Sequence, residues 1–310
     1  MIWRWAAALI MISGLLMDLV DGSIVNVALP TIRTDLSATG TTLEWVVSAY
    51  LLAFAALLIT TGRLGDRFGR KRLFLLGVAC FGLASLGCGL AQSAAELIAC
   101  RVVQGLAAAT MTPQVLATFR VLFDGPERGA VFSVYGAVAG LAVAAGLLLG
   151  GLLTNADVAG LRWRAIFLLN VPLAVVVLLA GARWVPETKD TSAPPPDLPG
   201  VALLGGSLAA LIYTLQEGRS LGWPIWLWIV GACAAVGLLA VAWRDERRER
   251  RGFPGLLPVH LFRVGAYSAG TLGPVVLLRF DERLLLCPDA VAAGGRRRLA
   301  AAGRPDSDGL

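Results

Sequence analysis

Apolar stretches of about 20 residues, each enough to cross a bilayer, follow one another from the start of the chain to residue 243. Charges, prolines and turn residues bound them and predict helices at 5–29, 43–61, 73–92, 95–119, 130–154 and 164–184. Two more are predicted at 200–217 and 224–243, after a semi-rigid linker at 185–199 in which four prolines fall between Ser192 and Pro199. The fold class that follows is all-α, a polytopic membrane protein. Residues 1–184 make an N-terminal six-helix bundle and 200–243 add two transmembrane helices. A basic loop follows at 244–264.

The connections alternate between charge-rich and charge-poor. Sixteen lysines and arginines fall on one side: Arg4, the cluster from Arg63 to Arg72, Arg120, Arg128, Arg183, Lys189 and the run from Arg244 to Arg263. Four fall on the other: Arg33, Arg162, Arg164 and Arg219. The rich side is expected to be cytoplasmic, which places the N-terminus there too. The apolar run from Trp5 continues to Leu29 with no small-residue cleavage site, so it reads as a retained first helix and not a signal peptide.

Composition agrees with a lipid solvent. Hydrophobic residues make up 57% and charged residues 15%, against about 25% charge in soluble domains; mean hydropathy is +0.72. The net charge of +6 lies in short clusters between spans, where headgroups and orientation account for it, so no nucleic-acid partner is expected. Cys80, Cys88, Cys100, Cys233 and Cys287 show no CxxC spacing, so neither a metal site nor a disulfide framework is expected. No cluster of acids, histidines or nucleophiles suggests an enzyme.

Three segments carry candidate chemistry. The first, Gly62-Arg63-Leu64-Gly65-Asp66-Arg67-Phe68-Gly69-Arg70-Lys71-Arg72, packs glycines, one acid and several bases into what reads as a tight loop. A positive-inside anchor explains the bases but not Asp66 and the glycines; Asp66 can pair with an arginine or cap a helix. The second places Asp18 and Asp21 inside the first apolar run, where an acid is expensive and functional by default. Depth alone does not separate either from an acid near the interface. The third is Arg101-Val102-Val103-Gln104-Gly105, with a lone arginine early in the fourth span. Such an arginine needs a counter-charge, for which Asp21 is the natural candidate, or it snorkels to the headgroups.

The first segment resembles the signature loop of the major facilitator superfamily, G-x-L-x-D-R-x-G-R-K-x, at every fixed position: Gly62, Leu64, Asp66, Arg67, Gly69, Arg70 and Lys71. The resemblance implies a conformational latch holding two transporter halves together. The stretch from Val20 to Pro30 is similar to the first-helix motif L-D-x-T-I-V-N-V-A-L-P of the drug:proton antiporters with fourteen helices, with Val20 for leucine and Ser23 for threonine. It aligns Asp21 with the motif's acid and leaves Asp18 incidental. Arg101, Gln104 and Gly105 fit R-x-x-Q-G, whose arginine is associated with proton transfer, so the resemblance implies proton coupling at Asp21 and Arg101.

Gly136, Gly140, Gly146, Gly150 and Gly151 resemble the glycine face of the antiporter motif on the fifth helix, with Leu147 in place of its proline; Gly140, Gly146, Gly150 and Gly151 are expected to serve helix packing. Trp163-Arg164, Ile166-Phe167 and Asn170-Val171-Pro172 resemble the start of the sixth helix, W-R-W-I-F-x-x-N-x-P, with Ala165 for the second tryptophan. Two spans after the linker fit the fourteen-helix group. Implied are efflux of drug-like amphiphilic compounds across the plasma (inner) membrane, a proton gradient as energy source with no cofactor, and protons, lipid and small amphiphiles as partners. His260 reads as a loop residue, or as a proton relay.

A partial ninth helix is expected at 265–280, cut short by Arg279, Asp281, Glu282 and Arg283. The stretch 281–310 reads as a disordered tail or as a frameshift, since the codons for Cys287 to Ala292, read one base later, permit Val-Pro-Met-Gln-Leu-Gln, similar to the family's ninth helix. On that expectation the chain is C-terminally truncated. The alternative to an exporter is then a membrane-inserted remnant that transports nothing.

Overall fold

The computed structural model describes residues 2–156, 160–189 and 197–251. Most of the prolines of the linker, the basic loop beyond 251, His260, the partial ninth helix at 265–280 and the 281–310 tail lie outside the described residues. Those that are described form helices α1 (Ile2–Asp35), α2 (Gly40–Phe68), α3 (Arg70–Leu90), α4 (Ala94–Leu122), α5 (Gly125–Ala156), α6 (Arg164–Leu168), α7 (Asn170–Trp184), α8 (Leu198–Leu221) and α9 (Ile225–Glu249). Eight spans among them are long and apolar enough to cross a membrane, with α6 and α7 together making the sixth.

Every span was legible as an apolar run, but the helices outlast their runs. α1 has 34 residues, about 51 Å at 1.5 Å per residue, and passes through Pro30 without ending. α2 was expected to stop at residue 61 and instead continues to Phe68, so the glycine-rich segment is helical and its turn is the single residue Gly69. Apolarity marks where a helix meets lipid tails; the hydrogen-bonded backbone continues into the headgroup layer, where long basic side chains reach water.

The ends have chemical causes. Thr39 caps α2 by accepting the Thr42 N–H at 3.2 Å, and Ser93 caps α4 by accepting that of Glu96 at 3.2 Å. Gly222, at φ 71°, closes α8 in the left-handed conformation. The break between α6 and α7 follows from Pro172, which has no N–H to offer the carbonyl of Leu168.

In the bundle, α4 packs between α2 and α3, α1 lies against α5 and α7, and α8 joins through α2 with α9 paired to it. Two apolar cores result. One gathers Met11, Met17, Phe74, Phe81, Met111, Phe119 and Phe123, toward the Gly69 end. The other gathers Ile24, Ile32, Val46, Leu97, Trp163 and Phe167, toward the opposite end. Between them lies a layer of buried polar side chains: Asp18, Asp21, Ser85, Arg101, Gln104 and Asn170. The periphery is apolar, with Leu141, Leu148, Leu152, Leu179 and Leu239 exposed, as expected where the solvent is lipid.

Candidate functional site

The polar layer is built around one ion pair. Arg101 Nη1 lies 2.5 Å from Asp21 Oδ2, and the two side chains are 1% and 0% exposed. The structure thus joins the two residues expected to pair, and Arg101 does not snorkel. A pair in this setting is maintained only if its remaining donors and acceptors are also satisfied. Several are: Arg101 Nε donates to the Val46 carbonyl at 3.1 Å and Nη1 also to Gln104 Oε1 at 2.8 Å. Asp21 Oδ1 accepts from Gln104 Nε2 at 2.9 Å and from Asn170 Nδ2 at 3.1 Å. Ser85 Oγ receives both amides and donates to the Phe167 carbonyl at 3.0 Å.

Three spans therefore meet at Asp21, and Ser85 on α3 and Val46 on α2 close the network around it. Spacing explains part of it: Arg101 and Gln104, three apart, share one face of α4. Gly105 lets that face close on α2, because a Cβ there would overlap the Tyr50 carbonyl and lie 3.1 Å from Ala53 Cβ.

Asp18, incidental by alignment, is buried one turn away at 8% exposure. The Tyr50 hydroxyl donates to its Oδ1 and Thr112 Oγ1 to its Oδ2 at 3.2 Å. Tyr50 also stacks on Arg101, whose Cζ is 4.1 Å from the ring centroid. The two acids thus have unlike surroundings: a cation and amides for Asp21, hydroxyls for Asp18. Tyr50, Ser85 and Thr112 could not have been singled out, since each is one hydroxyl in an apolar run. Gln104 and Asn170 stood inside quoted motifs without an assigned role.

The signature segment forms a second constellation. Arg70 donates to Asp66 Oδ1 through Nε at 2.9 Å and Nη2 at 2.5 Å, so the acid pairs with an arginine and caps no helix. Gly69, at φ 111°, turns α2 directly into α3. Glu187, which the linker reading overlooked, lies across this turn. It accepts the Lys71 N–H at 3.1 Å and approaches Arg72 Nε at 3.6 Å. Arg70 N–H donates to the Thr188 carbonyl at 2.9 Å and Lys71 Nζ to that of Ala182 at 2.7 Å. Arg67 is exposed, its guanidinium 5.7 Å from the Phe68 ring centroid. Within α2, Gly62 faces Pro113 and Gly65 the Gln114 amide, both on α4.

The glycine face of α5 divides. A Cβ at Gly146 would overlap Ser23 Oγ and one at Gly150 would lie 3.0 Å from Val27 Cβ, so these two seat α5 on α1. Gly140 and Gly151 need correction: a Cβ at either would meet nothing within 4 Å. Ala142, Gly146 and Gly150 recur every four residues on the face that meets α1, and Gly140 lies off that stripe and is exposed.

At the opposite end, Trp163 Nε1 and Arg164 Nη1 both donate to Asp35 Oδ2, at 2.8 and 2.5 Å, which ties α6 to the end of α1. Trp45 Nε1 donates to Glu217 Oε1 at 2.7 Å and ties α2 to α8.

The family model "Major Facilitator Superfamily" matches residues 10–280. The chain is 39% identical over 270 residues to the "probable actinorhodin transporter" of Streptomyces coelicolor, covering 86% of this chain and 46% of that one. It is 36% identical over 282 residues to the "tetracenomycin C resistance and export protein" of Streptomyces glaucescens, covering 89% and 50%. A puromycin resistance protein of Streptomyces alboniger matches at 40% over 274 residues, covering 85% and 52%. The chain spans about half the length of these curated relatives. In fold it resembles a bacterial homolog of the human lysosomal transporter Spinster in an inward-facing, unoccupied conformation, with TM-score 0.51, 18% identity, and 80% of this chain and 64% of that one covered. A match across most of the sequence, with the signature segment intact and relatives named as drug and antibiotic exporters, shows that the chain belongs to the Major Facilitator Superfamily.

Proposed function

We propose that the chain serves proton-coupled efflux, by antiport, of drug-like amphiphilic compounds across the plasma membrane, with its N-terminus cytoplasmic. The observation that carries this reading is the buried Asp21–Arg101 pair, seated between the Gln104 amide of the same fourth span and the Asn170 amide of the sixth. Protonating Asp21 would leave Arg101 charged, buried and without a counter-ion. Removing one partner of such a pair costs about 3–5 kcal/mol, enough to favour any arrangement in which Arg101 finds a new partner or water. A proton is then worth a helix movement, which is what coupling requires. The export names of the relatives support the substrate class, and the charge asymmetry between connections supports the orientation.

In this reading Gly62, Asp66, Arg67, Gly69, Arg70 and Lys71 form the latch. Asp66 and Arg70 already hold each other, and Glu187 braces the turn, so opening would break ion pairs at the membrane surface. The α8–α9 pair, directly after the sixth span, supports membership of the fourteen-helix group.

The test is uptake of an amphiphilic cationic dye by inverted membrane vesicles carrying this chain, with and without an imposed proton gradient. Gradient-driven uptake that Asp21→Asn uncouples is the expected result. Uptake in neither condition would sink the exporter reading for this chain and favour a non-transporting membrane protein, and uptake with intact coupling in Asp21→Asn would remove Asp21 from the coupling site.

A further inference from the structure

Asp18 is the buried group that the coupling scheme above leaves unused. It lies midway along α1, one turn from Asp21, with 8% of its surface exposed. Its hydrogen-bond partners are two neutral hydroxyls, Tyr50 on α2 and Thr112 on α4. The charged and titratable groups facing it are Asp21 on its own helix, Tyr50 on α2, Arg101 on α4 and Tyr135 on α5. Arg101 makes no ion pair with it, being engaged with Asp21, Gln104 and the Val46 carbonyl. Asp21 adds a second negative charge nearby. Asp18 is thus a carboxyl buried inside a span, held by hydroxyls beside a like charge, with its nearest cation engaged elsewhere, and an acid so placed is functional by default.

We infer that Asp18 is a second proton-carrying residue, taking a proton from water onto a carboxylate oxygen and returning it to water while the Asp21–Arg101 pair stays closed. The inference deepens the proton-coupled reading and rests on it. Two acids on one helix, set apart by their surroundings, divide the work: the hydroxyl-lined acid changes charge while the pair is intact, and the paired acid changes charge only when the pair is pulled apart. Tyr50 connects the two, its hydroxyl on Asp18 and its ring on Arg101, so the charge on Asp18 is felt by the cation that holds Asp21. Tyr50 and Thr112 are positioning residues in this scheme.

Infrared titration of the full chain in lipid nanodiscs reads the protonated carboxyl directly through its C=O stretch, without substrate or gradient. Wild type is expected to show a protonated-carboxyl band that titrates across the physiological pH range. Asp18→Asn should abolish it, Asp21→Asn should retain it, and Tyr50→Phe should shift its frequency by removing a hydrogen bond. If Asp21→Asn does not fold, the double variant Asp21→Asn with Arg101→Gln carries that arm. No titrating band in wild type, a band that survives Asp18→Asn, a band lost with Asp21, or a frequency unmoved in Tyr50→Phe would each overturn the assignment. A failure of dye uptake would leave this result standing, so the two readings fail separately.

Discussion

Tyr50 covers the guanidinium of Arg101 with its ring, Cζ 4.1 Å from the centroid, while its hydroxyl holds Asp18. One side chain thus serves a cation with its face and an acid with its edge. Tyr50→Phe should keep the cation contact and strand an Asp18 oxygen, at about 1–3 kcal/mol. Tyr50→Leu should lose the cation–π contact as well, roughly another 2 kcal/mol when desolvated. Thermal unfolding in detergent should rank wild type, Phe, Leu; equal melting of all three would show that the contacts are idle.

The Asp21–Arg101 pair should behave as a unit. Asp21→Leu or Arg101→Met alone should each cost about 3–5 kcal/mol by leaving a buried charge unpaired. Asp21→Leu combined with Arg101→Met should cost less than the sum of its two single changes, because no charge is left behind. Unfolding free energies of the four proteins decide this, and strict additivity would contradict the shared burial.

Gly69 is constrained twice, by φ 111° and by the Glu187 carboxylate, 2.6 Å from where its Cβ would stand. Gly69→Ala should cost about 1–3 kcal/mol for the backbone conformation alone. Adding Glu187→Ala should recover the steric share and not the conformational one. Melting temperatures of the single and double variants separate the two.

Gly146 and Gly140 look alike in sequence and should respond oppositely. Gly146→Leu drives a side chain into Ser23 and the Val20 carbonyl and should cost about 1–3 kcal/mol or more. Gly140→Leu meets open space and should leave melting unchanged. Similar losses at both sites would mean that a partner covers Gly140 in the membrane.

Asp197 caps α8 through the Gly200 N–H and accepts Arg244 at 3.0 and 3.1 Å. The Arg244 hydrogen bonds are the largest cause that holds its carboxyl below the usual range, with the Gly200 amide and the charge of Arg248 assisting. Its stabilisation is therefore complete above the unfolded value of about 3.9 and lost as pH falls through the lower folded value. Asp197→Asn keeps a capping side chain and removes the charge. Hydrogen exchange at the start of α8 should be faster in that variant at neutral pH and lack the acid-induced rise of wild type; an unchanged profile would remove the ion pair from the account.

The spans were legible because burial in lipid demands uninterrupted apolar runs, and Asp21 and Arg101 because charge inside such a run is conspicuous. What remained hidden depended on geometry between helices. Asp18 and Asp21 differ by one turn, and only the packing of α2 and α4 decides that one receives a cation and the other a tyrosine. Glu187 looked like linker because its partner amide at Lys71 is 116 positions distant. Gly140 and Gly146 carry no difference in composition; the facing helix supplies it.

The hydrogen bond from Trp45 to Glu217, far apart in sequence, fixes α8 to α2, and α9 follows through its pairing with α8. The hairpin is an outrigger lashed to one side of the six-span body. In the transport cycle proposed above, a tilt of α2 would carry the outrigger through the lipid with it. The moving body of that cycle would be wider than the bundle that houses Asp21, and bilayer thickness and viscosity would act on it through a lever outside the site.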